Sequence, residues 1–176
     1  IRQNRHEHID IHDVETFKQD AAVRAQIREA NTIGCFYIES PAMRQLLKKL
    51  RCDDYITLVA ASSIIRPGVA QSGMMKEYIH RFHHPDSFEY LHPVMEELLK
   101  ETYGVMVFQE DVIKVAHYFA GLDLGEADVL RRSMSGKYRS GNSFRSIQER
   151  FFSGCREKGH PEALSREVWR QMESRS

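Results

Sequence analysis

Apolar residues along the chain recur at helical spacing almost throughout. Val14, Phe17, Ala21, Arg24 and Ile27 keep steps of three and four, which predicts one helix whose apolar side is interrupted by charge and which Gly34 breaks. Cys35-Phe36-Tyr37-Ile38 is a short apolar run after that break and predicts a strand or a buried extended segment. Ser40-Pro41 opens the next helix, because serine caps free amides and proline has a suitable φ at the first helical position. That helix, Pro41 to Leu50, presents Met43, Leu46, Leu47 and Leu50 on one side. Asp53 is the expected cap of a following helix through Ile56, Val59, Ala60 and Ile64, stopped by Pro67-Gly68.

The second half repeats the logic. A helix is predicted from Gly73 to Phe82, then a turn-rich loop over His83-His84-Pro85-Asp86-Ser87. His92-Pro93 starts a helix to about Glu101, and Thr102-Tyr103-Gly104 closes it as a glycine C-cap. After the connector Val105-Met106-Val107, a helix from Phe108 to Ala120 carries Val112, Val115, Ala116 and Phe119. It stops at Gly121, and helix restarts near Gly125 for Glu126 to Met134. Gly136 to Asn142 reads as a glycine and serine loop, followed by helices from about Ser143 to Lys158 and Pro161 to Glu173. No internal repeat is present, and the expectation is a mainly α, packed multi-helical fold with at most a short β segment.

Composition narrows the class. With 176 residues, 41% hydrophobic and 28% charged, the chain is large enough for a core without disulfide or metal staples. No apolar run reaches the length of a membrane span and the start Ile1-Arg2-Gln3-Asn4-Arg5-His6 has no signal-peptide core, so a soluble, cytoplasmic location is expected, with no membrane partner. Cys35, Cys52 and Cys155 are odd in number and lack CxxC spacing, so they read as reduced thiols. The zero net charge hides an asymmetry: Asp86 to Asp128 has ten acids against Lys100 and Lys114, whereas Arg131 to Lys158 has eight bases against Glu149 and Glu157. Such a basic segment is either a solvated helix face or a polyanion contact.

Arg131 and Arg132 close a predicted helix, with Lys137 and Arg139 in the loop beyond. Adjacent helical residues point ~100° apart, so at most one of the pair follows the core side and the other needs an anion or water. A guanidinium fork suits phosphate oxygens, although two arginines at a helix C-terminus also satisfy its dipole, as Glu126 and Asp128 do in the first turn. Arg66, fixed before the turn Pro67-Gly68, is a second anion candidate, with Gln71, Ser72 and Gly73 offering donors at the next helix start. His6, His8 and His12, and His80, His83, His84 and His92, invite a metal reading but lack compact ligand spacing. No GxxxxGK(S/T) loop, GxGxxG turn, HExxH helix, GxSxG elbow or Asp-x-Asp pair occurs. A two-metal transfer site needs converging carboxylates, so the residues point to holding a phosphate rather than activating one.

Six blocks then occur in order: Gly34-Cys35-Phe36-Tyr37-Ile38-Glu39-Ser40, Met43-Arg44, Arg66-Pro67-Gly68, Glu101-Thr102-Tyr103-Gly104-Val105, Phe108-Gln109-Glu110-Asp111-Val112, and Gly125-Glu126-Ala127-Asp128-Val129-Leu130-Arg131-Arg132-Ser133-Met134. Together they resemble the fingers region of the alpha subunits of bacterial DNA polymerase III, the C-family replicative polymerases, from about Asn31 onward. The family usually has Pro where Val69 stands, Tyr where Phe108 stands, and a second Lys after the equivalent of Gly136-Lys137.

The resemblance implies a DNA-directed DNA polymerase in which palm aspartates bind two Mg2+ ions and carry the chemistry, while the fingers hold the substrate. The palm motif has no counterpart here, so no catalytic residue and no metal ligand is expected in this segment. It implies that Arg131, Arg132, Lys137 and Arg66 bind the dNTP triphosphate, and the basic segment adds Arg139, Arg145 and Arg150 as contacts to template-primer DNA. Further partners implied are other replicase subunits, including the sliding clamp. The expected organisation is a leader and first helix over 1–30 and a helical fingers subdomain over 31–176, truncated at its C-terminal end. The alternative is a non-enzymatic helical nucleic-acid-binding module using residues 131–158, and a weaker third reading is a histidine metal-binding protein.

Overall fold

The computed structural model describes residues 9–65, 73–134 and 142–174. Among these residues the chain forms ten α-helices and one 3-10 turn, with no strand. Two compact units are present, Ile1–Ser62 and Ser63–Ser176, the division falling inside a helix.

The first unit begins with α1 (Val14–Gln19) and α2 (Ala21–Arg28). The single helix expected over this stretch is two, because Asp20 takes an extended backbone and its carboxylate accepts from the Val23 amide at 2.9 Å, capping α2. Asp13 caps α1 in the same way, accepting from Thr16 N at 3.2 Å. An aspartate competes with a helical backbone for its own amides, so apolar spacing alone overran the break. α3 (Pro41–Leu50) matches expectation: Ser40 Oγ accepts from Met43 N at 3.2 Å, and Met43, Leu46, Leu47 and Leu50 are buried. α4 (Tyr55–Ile64) is capped by Asp54, not Asp53, with Thr57 N donating to Asp54 Oδ1 at 2.9 Å. Asp53 instead pairs with Arg24 and Arg28 at 3.5 and 3.6 Å, and its carbonyl accepts from Arg24 Nε at 2.7 Å. That link fastens α2 to the α3–α4 connection. Cys52 is buried there, and burial pushes its thiol up to about 12, leaving it protonated and inert.

The apolar run Cys35–Ile38 is neither strand nor buried. It forms consecutive turns that leave Phe36 86% and Tyr37 77% exposed, with Tyr37 at φ 71°. Gly34 at φ 82° and hydrogen bonds closing the loop on itself oppose an extended path.

The second unit holds α5 (Met74–His83), α6 (Pro93–Leu99) running into the 3-10 turn Lys100–Thr102, α7 (Gln109–Tyr118), α8 (Leu124–Ser133), α9 (Asn142–Glu157) and α10 (Glu162–Ser174). Its core gathers Leu99, Val115, Phe119, Leu130, Phe151 and Trp169, with α7 packed on α8, α8 on α9, and α9 on α10. The C-terminal end of α7 is satisfied from outside its own helix. Lys158 Nζ donates to Tyr118 O at 2.8 Å, His160 Nε2 to Phe119 O at 2.8 Å, and Arg150 Nη2 to Gly121 O at 3.3 Å. Helix-end carbonyls need such donors, and cations suit their dipole.

This arrangement forces α9 close to the turn after α7. A Cβ on Gly154 would collide with the carbonyl oxygen of Ala120. In an open helix, Gly to Ala stabilises by about 1 kcal/mol. Here the clash decides the sign, and Gly154→Ala is expected to destabilise by about 1–3 kcal/mol. Denaturant unfolding followed by the fluorescence of Trp169, the single tryptophan, measures it; a raised midpoint would contradict the packing.

Candidate functional site

The helical hairpin α7–α8 positions the paired arginines. α8 starts with a reciprocal cap: Glu126 N donates to Asp123 Oδ1 at 2.8 Å, and Asp123 N donates to Glu126 Oε2 at 2.9 Å. At its other end the last turn carries Arg131 and Arg132, where the negative end of the helix dipole favours cations. The hairpin is antiparallel, so the start of α7 meets the end of α8, and Arg131 Nη1 donates to Gln109 Oε1 at 3.3 Å.

One carboxylate holds both guanidiniums. Arg131 donates to Asp128 Oδ1 from Nε at 3.0 Å and from Nη2 at 2.7 Å, while Arg132 Nε lies 3.0 Å from Asp128 Oδ2. Arg131 is the more covered, its side chain 28% exposed against 62% for Arg132. The hydrogen bonds from Arg131 hold the Asp128 carboxyl below the usual carboxylate range; desolvation, the next largest effect, opposes them, and the charges of Arg132 and Arg131 add to the lowering. Two cations on one anion leave a local charge of about +1 at the end of α8. The sequence reading had Asp128 only as a helix-dipole acid. Its spacing of three and four residues from the arginines was the available signal; nothing in the sequence pointed to Gln109.

The remaining predicted residues do not gather around this pair. Arg150 lies on α9 and bonds Glu126 Oε1 at 3.0 Å as well as Gly121 O, so it joins α9 to the opposite end of α8. Arg145 is exposed near the start of α9, and a five-residue step from Arg150 turns it about 140° away. Arg66, Lys137 and Arg139 lie outside the described residues, as do His6 and His8. A cleft of about 290 Å³ elsewhere in the second unit is lined by Glu77, Arg81, Leu91, Met106, Glu167 and Arg170 among others. Its charges pair with each other, Arg81 with Glu77 at 2.7 Å and Arg170 with Glu167 at 2.6 Å, and none of the predicted anion-binding arginines lines it.

Residues 1–159 match the bacterial DNA polymerase III alpha subunit finger domain. The chain belongs to that family. It is 38% identical over 165 residues to DNA polymerase III subunit alpha of Aquifex aeolicus (strain VF5), covering 94% of this chain and 14% of that protein. It is 37% identical over 150 residues to the subunit of the same name from Staphylococcus aureus (strain Mu50 / ATCC 700699), covering 85% and 14%. The finger domain described here thus spans about one seventh of the length of these relatives. No helix among the described residues is long and apolar enough to cross a membrane.

Among the described residues of the finger domain, no three His, Cys, Asp or Glu side chains come together to hold a metal ion. The histidines that the structure does cluster are packing groups. His160 stacks on Phe119 with ring centroids 4.0 Å apart, and His92 stands edge-on to both, 4.9 Å from His160. His92 Nδ1 accepts from Val94 N at 3.2 Å and so caps α6, a bond only the unprotonated nitrogen can make. Desolvation first, and the nearby His160 second, lower the His92 pKa.

The sign follows from linkage. The folded state takes up this proton less readily than the unfolded chain, so the stabilisation is complete above the unfolded value of about 6.5 and is lost as pH falls through the lowered folded value. The thermal midpoint is therefore expected to drop between pH 7 and pH 5. His92→Asn, which keeps a good capping residue without a titrating ring, should drop less; parallel melts in which both proteins fall equally would exclude His92 as a source.

Proposed function

We propose that the finger domain is the substrate-holding part of a DNA-directed DNA polymerase, a replicative nucleotidyltransferase. Arg131 and Arg132 receive the triphosphate of the incoming dNTP, with Lys137 and Arg66 assisting from segments outside the described residues, and template-primer DNA lies alongside. The observation that carries this reading is the guanidinium pair on Asp128, at the positions where the family's arginines fall. A triphosphate carries several negative charges against one on Asp128, so its oxygens compete effectively for the exposed fork of Arg132, while Gln109 and Asp128 keep Arg131 oriented.

In the reaction the primer 3' hydroxyl attacks the α-phosphorus and pyrophosphate leaves. Negative charge then builds on the departing phosphates, and fixed guanidiniums placed against it lower the barrier. The Mg2+ that the resemblance implies would be held by carboxylates elsewhere in the polymerase, and no step is derived through it. The isolated chain is accordingly expected not to polymerise. Other replicase subunits and the sliding clamp are partners of the whole polymerase on the same reading.

The alternative, a nucleic-acid-binding module built on residues 131–158, needs the basic segment to face outward. Arg150 and Lys158 instead bond the carbonyls that end α7, which removes two of its cations from the surface role.

Replacing Arg131 and Arg132 by alanine in the polymerase subunit is expected to lower kcat/KM for nucleotide about 100-fold or more. Arg145→Ala should change it less than about threefold, in line with the small effect of one exposed phosphate contact. Steady-state incorporation on a primed template measures both. Equal losses from the two variants would favour the module reading, and unchanged nucleotide use after the double replacement would remove the proposal.

A further inference from the structure

The loop Thr32–Glu39 of the first unit is a rigid mount for exposed aromatic rings. Phe36 and Tyr37 are 86% and 77% exposed, and neighbouring Ile33 is 75% exposed. The two rings meet edge to face, centroids 5.0 Å apart at 83°. They stand on a stapled base: Thr32 Oγ1 donates to Ile38 O, Gly34 N to Glu39 Oε2 at 3.0 Å, Cys35 N to Thr32 O at 3.1 Å, and Ile38 N to Cys35 O at 3.2 Å. Tyr37 is held at φ 71°, a conformation costly for an aromatic residue, and strain of this kind collects at ligand clamps.

Helix α3 leaves the loop directly and is cationic without exception. With its caps, from Ser40 to Arg51, the stretch carries Arg44, Lys48, Lys49 and Arg51 and no acid. Arg44 and Lys48 fall at i and i+4, beside the buried stripe of Met43, Leu46, Leu47 and Leu50, and Arg51 follows as the C-cap, with a left-handed backbone that takes it out of the helical register. Arg44 Nε is anchored on Ala30 O at 3.0 Å, which ties the near end of the helix to the chain entering the loop. Among the described residues, Lys48 and Arg51 have no carboxylate partner.

We infer that the Phe36–Tyr37 pair and the cations of α3 and its cap together form a binding site for single-stranded nucleic acid, the rings stacking on unpaired bases and Arg44, Lys48 and the cap residue Arg51 offering contacts to the phosphates. The inference rests on the DNA-facing reading of this domain and adds a contact surface made of first-unit residues to the reading of Arg131 and Arg132. A cation-only helix selects a polyanion over an apolar protein face, and exposed rings reach base faces only where the bases are unstacked, so the ligand is a single strand and not a duplex. Stacking is indifferent to sequence, because every base has a π-face.

The test is fluorescence anisotropy of the 176-residue chain with a labelled oligothymidylate of about 16 nucleotides, its abasic counterpart, and a duplex of the same length. Phe36→Ala combined with Tyr37→Gly removes both rings while suiting the left-handed backbone, so folding is preserved, as thermal melts will show. That variant is expected to bind the single strand about tenfold more weakly at an unchanged salt slope, and the unchanged chain should bind the abasic strand as weakly. Phe36→Trp with Tyr37→Phe should retain affinity. Lys48→Ala with Arg51→Ala should lower the slope of log affinity against log salt by about 1.4.

Equal affinity for base-bearing and abasic strands, or full affinity after loss of both rings, would overturn the inference. If the loop is instead covered by another part of the polymerase, losing the rings will leave strand binding intact and lower the stability of the whole subunit, which also overturns it. Should the arginine-pair replacement impair nucleotide use while the ring variants bind template normally, this inference falls alone; if neither has an effect, the DNA-facing reading falls with it.

Discussion

The second unit is organised around the C-terminal end of α7, whose carbonyls finish against other helices and must be met there. Lys158, His160 and Arg150 donate to the oxygens of Tyr118, Phe119 and Gly121, and His117 Nδ1 reaches Leu122 O at 2.6 Å. Three of these donors come from α9 or the turn after it, so α9 must lie against the α7–α8 turn. Only a residue without a side chain at 154 allows that approach. The same closeness brings Phe151 and Cys155 into the core beside Phe119. A hydrogen-bonding requirement at one helix end thereby fixes where a neighbouring helix lies, and through Arg150 and Glu126 it fixes the start of α8 as well. The arginine pair sits at the far end of that helix, so its position is inherited from the same constraint.

This changes what the reversal of charge along the sequence means. Ten acids followed by eight bases suggested a face for a polyanion, yet part of the basic segment answers to the protein itself. Arg150 and Lys158 complete helix ends, and Arg131 and Arg132 are first neutralised in part by Asp128. What is left for a ligand is the imbalance, two cations on one carboxylate, with the more exposed cation bound through a single nitrogen. On the proposed reading the pair is stable without a ligand because Asp128 occupies it, and the net positive charge lets phosphate oxygens compete for that carboxylate's place. Ion pairing inside the protein and the proposed phosphate binding are then competing states of the same groups rather than rival explanations.

Most of the helices were legible because burial on one side imposes a three-to-four spacing that survives in the sequence. The face of α3, the cap at Ser40 and the glycine stop before Val105 all follow from local chemistry that needs no tertiary information. The misses at helix boundaries share a cause. Asp20 divided a helix, Asp54 rather than Asp53 capped another, and Asp53 served Arg24 and Arg28, so in each case a short acidic side chain chose between local amides and distant partners. Periodicity is blind to that choice. In the candidate site, Arg131, Arg132 and their clamp by Asp128 could be read from spacing, because all three lie on one helix. Gln109 could not, since its contact depends on the antiparallel return of α7 and α8. Nor could the inward turn of Arg150, which looks in sequence like any other basic residue on a polar face.

The largest departure from the pattern is Cys35–Ile38, and its energetics argue that it is not incidental. Burying Phe36, Tyr37 and Ile33 would each contribute about 1.5–3 kcal/mol, and relieving the left-handed tyrosine about 1–3 kcal/mol more. Those sums rival the 5–15 kcal/mol that separates a folded domain from its unfolded chain. The loop nevertheless holds the rings outward with its own hydrogen bonds, and Gly34 supplies the turn that makes this path available. A chain that wanted these side chains in its core had a short extended segment at hand in which to place them. The apolar run therefore predicted a burial that the structure does not show, and a local conflict of that size is what is expected where a segment serves something other than the core.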